Sequence, residues 1–533
     1  MKKLKISEKT NIKISVIIAY ASLFLSSLIA IFYSPFLLKT YGDRTYGIYS
    51  FSESLVAWLS IFSFGLTSTY IRFATIAEKE GGDKLLRPLN GFYVIVLATL
   101  TLLGVLAGGV VFILLKTGVI PLTLYTDPEK DLIYLLVALS IAQTIIYLPF
   151  DFFNLYNNYR NHFIWVRLGA FTTSVLTPLV VIPFVQSGLG IWIVLVVGIA
   201  VQLAVSLSNV AFAFLALKVR ISWPSRAQMK SQIKTIFIFS FFIFINTIVD
   251  QVNNNVAKTL LGIMVGAEAV TIYSFGMQLS TKVITMGQSI TTTLAPRINR
   301  EVANGNQQNV STIFLNASTI TGFLMLYIFG GFLSCGQDFI IAWIGAKRSE
   351  AYYVGLVLIF FWTLPLAEMS GVEVQRAMNK HKFRSLILAA TTLLNVALSF
   401  VFLLVFPENL KIAACLIASA VSSFLGHWVA QNLYFGKALH LPVTTYLKSF
   451  ARLLGITLVA SLLCYGASSL GLLVSTNKWI AVLQKAIIFS IFYFIIFAAI
   501  DPENWSKIKG IIGRRFPEKK NNDSENQVNS KKD

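Results

Sequence analysis

Apolar stretches of about 20 residues recur from the N-terminus almost to residue 500, each long enough to cross a hydrocarbon core of about 30 Å. Fourteen spans are expected, near 14–38, 46–71, 89–115, 131–150, 163–184, 188–217, 235–257, 265–292, 311–336, 352–374, 385–406, 412–436, 453–471 and 479–500. Apolar runs of this length form helices in lipid, so the expected fold is an all-α polytopic membrane bundle. No polar stretch between the spans is long enough to fold as a domain, which leaves the bundle itself as the working part.

A second pattern is laid over the first. Residues 41–55 read YGDRTYGIYSFSESL and residues 265–279 read VGAEAVTIYSFGMQL, an offset of 224. Ile48-Tyr49-Ser50-Phe51 matches Ile272-Tyr273-Ser274-Phe275. At the same offset Gly42 pairs with Gly266, Leu55 with Leu279, Thr67 with Thr291, Thr69 with Thr293 and Gly81 with Gly305. The offset also carries spans 3 to 6 onto spans 9 to 12 and lays Tyr159-Arg160 on Phe383-Arg384. Internal duplication of this kind is the usual build of secondary transporters. Each half holds six spans, an even number, so both halves enter the membrane from the same side as parallel repeats. The expected organisation is an N-lobe at 1–220, a cytoplasmic linker at 221–234, a C-lobe at 235–440, two further spans at 441–500 and a polar tail at 501–533.

Composition agrees with a membrane protein: 56% of the 533 residues are hydrophobic and 13% charged, against about 25% charged in soluble domains. The formal net charge of +20 raises nucleic acid as a partner, and its distribution removes that need. With the N-terminus cytoplasmic, 32 Lys and Arg fall on the cytoplasmic side and nine on the other, with three inside spans. That is the positive-inside rule, with both termini cytoplasmic. The start MKKLKISEKTNIK leads into an apolar run too long for a signal peptide and without a clear cleavage site, so it reads as an uncleaved first span. Three dispersed cysteines and four scattered histidines form neither a disulfide framework nor a metal motif, and no cofactor is expected.

The duplicated stretch lies within YSPFLLKTYGDRTYGIYSF (33–51), followed by a loop at 72–81 ending Glu-Lys-Glu-Gly and by YNNYRNHFIWVRLGAFTTSVLTPLV (156–180). The second half offers VDQVNNNVAKTLLGIMVGAEAVTIYSF (249–275) and NKHKFRSLILAATTLLNVAL (379–398). In order and spacing these resemble the polysaccharide-transporter branch of the multidrug/oligosaccharidyl-lipid/polysaccharide exporter superfamily, the Wzx-type O-antigen flippases. The resemblance covers nearly the whole chain. It implies a multi-pass protein of the bacterial cytoplasmic membrane that moves undecaprenyl-pyrophosphate-linked oligosaccharides to the outer leaflet by alternating access, for O-antigen, capsule or exopolysaccharide synthesis. Implied partners are the lipid-linked substrate, membrane lipids, a polysaccharide polymerase and glycosyltransferases. A bundle with a built-in two-fold is expected to work as a monomer.

Ionisable groups inside a span cost about 2.5–3.5 kcal/mol on insertion scales, so they face a cavity or a partner. Span 7 carries Asn246, Asp250 and Asn253 at i, i+4 and i+7, with Thr247, Gln251, Asn254 and Lys258 beside them. Span 8 puts Gln278, Lys282, Thr285 and Ser289 on one helical face. Glu53 follows the duplicated tetrapeptide, Glu368 and Glu373 close span 10 with Arg376, and Arg167 sits one turn into span 5. On the flippase reading these line a wet cavity, where Lys282 and Arg167 attract pyrophosphate and Asn and Gln bond sugar hydroxyls. Arg160, Arg376 and Arg384, at the cytoplasmic boundary, would gather the anionic headgroup. The plainer alternatives are charges that pair to lock helices, an Arg167 that snorkels to headgroups, and boundary arginines that serve topology alone.

An anionic substrate is drawn outward by about 2.3 kcal/mol per charge per 100 mV, negative inside. Coupling to H⁺ or Na⁺ through Asp250, Glu53 or Glu368 is the other drive open to the chain. A lipid II flippase and a MATE-type drug or cation exporter share the lobe plan, and the basic groups favour an anionic cargo. A membrane glycosyltransferase or polymerase would need clustered acids or a long outer loop, and the outer connections here are short, the longest near 116–130 and 337–351.

Overall fold

The computed structural model describes residues 8–63, 66–292, 294–380, 382–471 and 477–506, and every regular element among them is a helix. The first half comprises α1 (Glu8–Ala57), α2 (Leu66–Gly81), α3 (Asp83–Lys116), α4 (Asp127–Tyr159), α5 (Phe163–Phe171), α6 (Thr177–Gln186) and α7 (Ile193–Ala211). After the linker come α8 (Arg226–Met264), α9 (Ala267–Thr292), α10 (Ala295–Ala303), α11 (Gln307–Ile344), α12 (Ala351–Ala367) and α13 (Met369–Ala377). The chain continues through α14 (Lys382–Val405), α15 (Lys411–Ser423), α16 (Asn432–Leu439), α17 (Val443–Ser469) and α18 (Lys478–Ile500). Single π-turns at Thr172–Leu176 and Phe424–Gln431 join α5 to α6 and α15 to α16 into longer rods. The first seven residues and the tail from 507 lie outside the described residues, as does Thr293 of the repeat.

Among the described residues ten helical stretches are long and apolar enough to cross a membrane, and eleven if α12 and α13, bent by 44° at their break, count as one span. The fourteen expected spans differ from this in three places, the second, seventh and eighth. The helices α8 and α9 fall short of the apolarity of the others because Asn246–Lys258 and Gln278–Ser289 interrupt their apolar runs. The expected second span is not a separate apolar helix. The chain passes Gly42 inside α1, tightens into a 3₁₀ turn at Trp58–Ser63, and resumes as α2.

The break at Gly42 has φ 80°, and its repeat-mate Gly266, between α8 and α9, has φ 119°. A side chain in that backbone region clashes with its own carbonyl, which is why glycine stands at both breaks. Farther along, the 224 offset no longer holds. Arg160 caps the end of α4, whereas Phe383 and Arg384 open α14. The equivalent turn residues are the left-handed asparagines Asn161 (φ 62°) and Asn379 (φ 56°), which lie 218 apart.

Two compact units divide the described residues. One runs up to Lys282 and takes in Trp343–Phe361 and Met378–Tyr434; the other holds Val283–Ala342, Trp362–Ala377 and the residues from Phe435. In the first, α1 packs against α4, α5 and α8, α4 against α3 and α7, and α8 against α14. Tyr70, Tyr93 and Phe152 meet edge-to-face in its buried core. In the second, α10 packs on α13 and α17 on α18. There the Asp338 carboxylate of α11 takes Lys485 at 2.6 Å and Lys478 at 2.9 Å from α18, tying the last described apolar span to α11.

Within the first unit the two copies of the repeat touch reciprocally. Ser50 and Ser274, 224 apart, share a hydrogen bond of 2.7 Å. Thr271 Oγ1 donates to the Asp43 carbonyl at 2.7 Å. The mate of that contact pairs Gly47 with Ala267, and a Cβ added at Gly47 would lie 1.9 Å from the Ala267 carbonyl oxygen. When i meets j and the mate of j meets the mate of i, the segments are related by a local two-fold, with Ser50 and Ser274 beside its axis. Small residues at this crossing let the two backbones approach, the usual device for helices packed without a hydrophobic drive.

Candidate functional site

Past Gly42 the chain re-enters a helix, and Phe51, Ser54 and Leu55 turn one face of it inward against α8. Ser54 Oγ and Thr259 Oγ1 are hydrogen-bonded at 3.1 Å, and one turn on a Cβ at Gly262 would meet the Phe51 ring at 2.1 Å. Glu53 therefore stands at the edge of a tight α1–α8 crossing, with its side chain not covered by protein although it lies within the apolar stretch Phe24–Ile61. Tyr49 Oη donates to Glu53 Oε1 at 2.7 Å. Lys258, half-buried on α8, is the cation within electrostatic reach of the carboxylate, and Tyr33 and Tyr46 lie close by. Across the same region Gln278 of α9 donates to Ser34 Oγ at 3.0 Å.

A second polar group lies along α8. Asn246, half-buried, and Asp250, Asn253 and Asn254, exposed, stand at i, i+4, i+7 and i+8 of one stripe. Asp250 and His427 lie within electrostatic reach of Arg384, near the start of α14. Asn253 Nδ2 donates to Thr392 Oγ1 at 3.1 Å, and Asn395 Nδ2 to Asn253 Oδ1 at 3.4 Å. Asn246 Oδ1 is buried with no hydrogen-bond partner among the described residues.

The eleven residues singled out from the sequence thus separate. Glu53 and Gln278 belong to the α1–α8–α9 group, and Asp250, Asn246, Asn254 and Arg384 to the α8–α14 group. Lys282, farther along α9, is half-buried and Arg167 on α5 is exposed; neither shows an ion pair among the described residues. Arg160 binds Glu78 at 2.8 Å, and Glu78 also accepts from Tyr159, so this boundary arginine has a partner on α2. Glu368 and Arg376 lie in the second compact unit: Glu368 is buried at the α12–α13 bend, and Arg376 pairs with Glu373 at 2.7 Å.

Two groups escaped the sequence reading. Lys258, named beside the span 7 stripe, lies past the expected end of that span at 257, yet α8 continues to Met264 and keeps it inside the helix. Asp43, beside the Gly42 break, binds Arg348 and, at 3.5 Å, Lys347, while Arg44 binds Glu129. These residues bring the Gly42 break of α1, the start of α4 and the turn after α11 together, with contacts separated by up to 305 positions in sequence. Asp151 on α4 accepts from Tyr147 at 2.8 Å and Asn154 at 3.2 Å, and only its local i−4 and i+3 spacing hinted at it. Among the described residues no three His, Cys, Asp or Glu side chains could together hold a metal ion.

Comparison with known proteins agrees with this architecture. The chain is 21% identical over 477 residues to the uncharacterized membrane protein EpsK of Bacillus subtilis, covering 88% of this chain and 91% of EpsK. Its fold matches that of the lipid II flippase MurJ in an inward closed conformation with TM-score 0.69 and 14% identity, over 93% of this chain and 100% of MurJ. An inward-facing multidrug resistance MATE family transporter of the MOP superfamily matches with TM-score 0.55 and 14% identity, over 81% of this chain and 94% of that one. At such identities these structures speak for the fold. Residues 13–302, more than half of the chain, match the family described as "Polysaccharide biosynthesis protein", and this polytopic helical protein belongs to that family.

Proposed function

We propose that the chain is a flippase for undecaprenyl-pyrophosphate-linked oligosaccharides in the bacterial cytoplasmic membrane, serving surface-polysaccharide synthesis by alternating access of its two six-helix repeats. The observation that carries this reading is the family membership over residues 13–302, on a fold shared with a lipid flippase. Chemistry supports it. A cargo with a pyrophosphate and many hydroxyls needs cations and amides inside the membrane, and Lys258, Lys282, Arg384, Asn253, Asn254 and Gln278 supply them on α8, α9 and α14. Charges at such depth are costly unless used or paired. The boundary arginine Arg160, half-exposed beside Glu78, suits a role in gathering the headgroup. The membrane potential supplies an outward pull on the anion without any coupling ion. On this reading the termini are cytoplasmic, the protein works as a monomer, and its neighbours in the pathway are glycosyltransferases and a polymerase.

The test is loss of function followed by identification of the lipid intermediate left on the cytoplasmic leaflet. Accumulated oligosaccharide-bearing lipid is the expected result. Accumulated lipid II would assign the chain to peptidoglycan precursor transport instead. No accumulation together with drug sensitivity would make it an exporter of small molecules.

A further inference from the structure

Glu53 and Lys258, which stand within electrostatic reach across the Ser54–Thr259 contact without forming a direct ion pair among the described residues, have no charged counterparts across the local two-fold. The repeat-mate of Lys258 is Ser34 and that of Glu53 is Met277. At the mate position the helices are joined by a neutral hydrogen bond, Gln278 to Ser34 at 3.0 Å, which takes the repeat positions of Ser54 and Lys258. The crossing is thus built without charge in one copy of the repeat. In the other, Ser54 bonds Thr259, one position along from Lys258, so the crossing contact is made there without either charged side chain. Packing does not require them. The Glu53 side chain is moreover not covered by protein although it lies within an apolar stretch, and Lys258 is half-buried rather than sealed. A carboxylate held by Tyr49 at 2.7 Å is a fixed anion at the place where a cation faces the accessible space.

We propose that Lys258 binds a phosphate group of the substrate and that Glu53 is its resident counter-ion, displaced when that phosphate arrives and returned when it leaves. This rests on the flippase reading above and adds a device to it. An empty carrier must pass back through its closed state, where an uncompensated lysine would be costly. Glu53 supplies the negative charge for that return, and Tyr49 holds the carboxylate ready. Substrate and Glu53 then compete for one cation, so removing the carboxylate strengthens anion binding while it slows turnover.

The experiment uses the full-length protein in neutral detergent at low salt, titrated calorimetrically with inorganic pyrophosphate and with farnesyl pyrophosphate as a short isoprenyl mimic. Glu53→Gln is expected to bind about ten-fold tighter than wild type, a coupling of ordinary size between competing sites. Lys258→Gln should lose most binding, Lys258→Arg should keep it, and Glu53→Gln should bring no gain when Lys258 is already Gln. A preference for farnesyl over inorganic pyrophosphate assigns the site to lipid-borne phosphate; the reverse assigns it to a free anion. The proposal is overturned if wild type binds and Glu53→Gln leaves affinity unchanged, or if the gain persists without Lys258. If wild type binds neither compound, the flippase reading itself fails, which is a separate outcome. Reconstituted flipping should be slower in Glu53→Gln despite the tighter binding, whereas damage to the fold would weaken both.

Discussion

Ser50 and Ser274, the same residue in two copies of one repeat, are hydrogen-bonded to each other at 2.7 Å. Equivalent residues of a duplication meet only on or beside the two-fold that relates the copies. This contact marks where the copies close on each other, and Tyr46 stacked on Phe275 with ring centroids 5.0 Å apart seals it from one side.

If that end of the molecule must open during transport, tying it shut stops turnover. The double variant Ser50→Cys, Ser274→Cys should form a disulfide on mild oxidation, since two small side chains already touch there. Flipping should cease on oxidation and return on reduction. Peptide mapping is needed to identify the bridge because Cys335, Cys415 and Cys464 are free thiols. Full activity with the bridge formed would show that this contact stays closed throughout the cycle.

The close approach beside it sets a stability prediction. A methyl at Gly47 would overlap the Ala267 backbone oxygen, which has no rotamer to move to, so Gly47→Ala should cost about 1–3 kcal/mol. Gly262→Ala meets the Phe51 ring, a side chain with some freedom, and should cost less. A helical glycine with nothing within 4 Å of its added Cβ is Gly109, and Gly109→Ala should be neutral or stabilising by up to about 1 kcal/mol. Thermal unfolding in detergent ranks the three; an unshifted midpoint for Gly47→Ala would contradict the tight crossing.

The ion cluster between α11 and α18 is asymmetric in burial. Asp338 is 13% exposed and Lys485 22%, while Lys478 is 49% exposed. Lys485→Met should therefore destabilise toward the lower end of the roughly 3–5 kcal/mol seen when one partner of a buried pair is removed. Lys478→Met should cost under about 1 kcal/mol, as for surface pairs. The exchange Asp338→Lys with Lys485→Asp should recover part of the loss, measured by the same unfolding assay.

Asp250 tests how transport is driven. If Asp250 carries a coupling proton, Asp250→Asn abolishes the dependence of flipping on an imposed pH gradient. If that dependence is unchanged, Asp250 serves only to offset Arg384, and the membrane potential acting on the anionic cargo is the drive. Arg384→Gln should then lower the rate at limiting substrate more than at saturation.

Much of this was written in the sequence. Long apolar runs leave a membrane protein no choice but helices, because every backbone N–H and C=O must be satisfied within its own segment. The repeat, the glycine breaks at 42 and 266 and the polar stripe on α8 are local patterns, visible one helix at a time. What the sequence alone did not determine is which helices those stripes face. Lys258 lies 205 positions from Glu53, at the fading edge of an apolar run, and only the α1–α8 crossing brings them together. Asp43 reaches Arg348 across 305 positions because the chain turns at Gly42. The meeting of Ser50 with Ser274 is likewise tertiary. A duplication says that two segments are alike, and the rotation relating them, set by backbones that approach only where the side chains are small, decides that they touch.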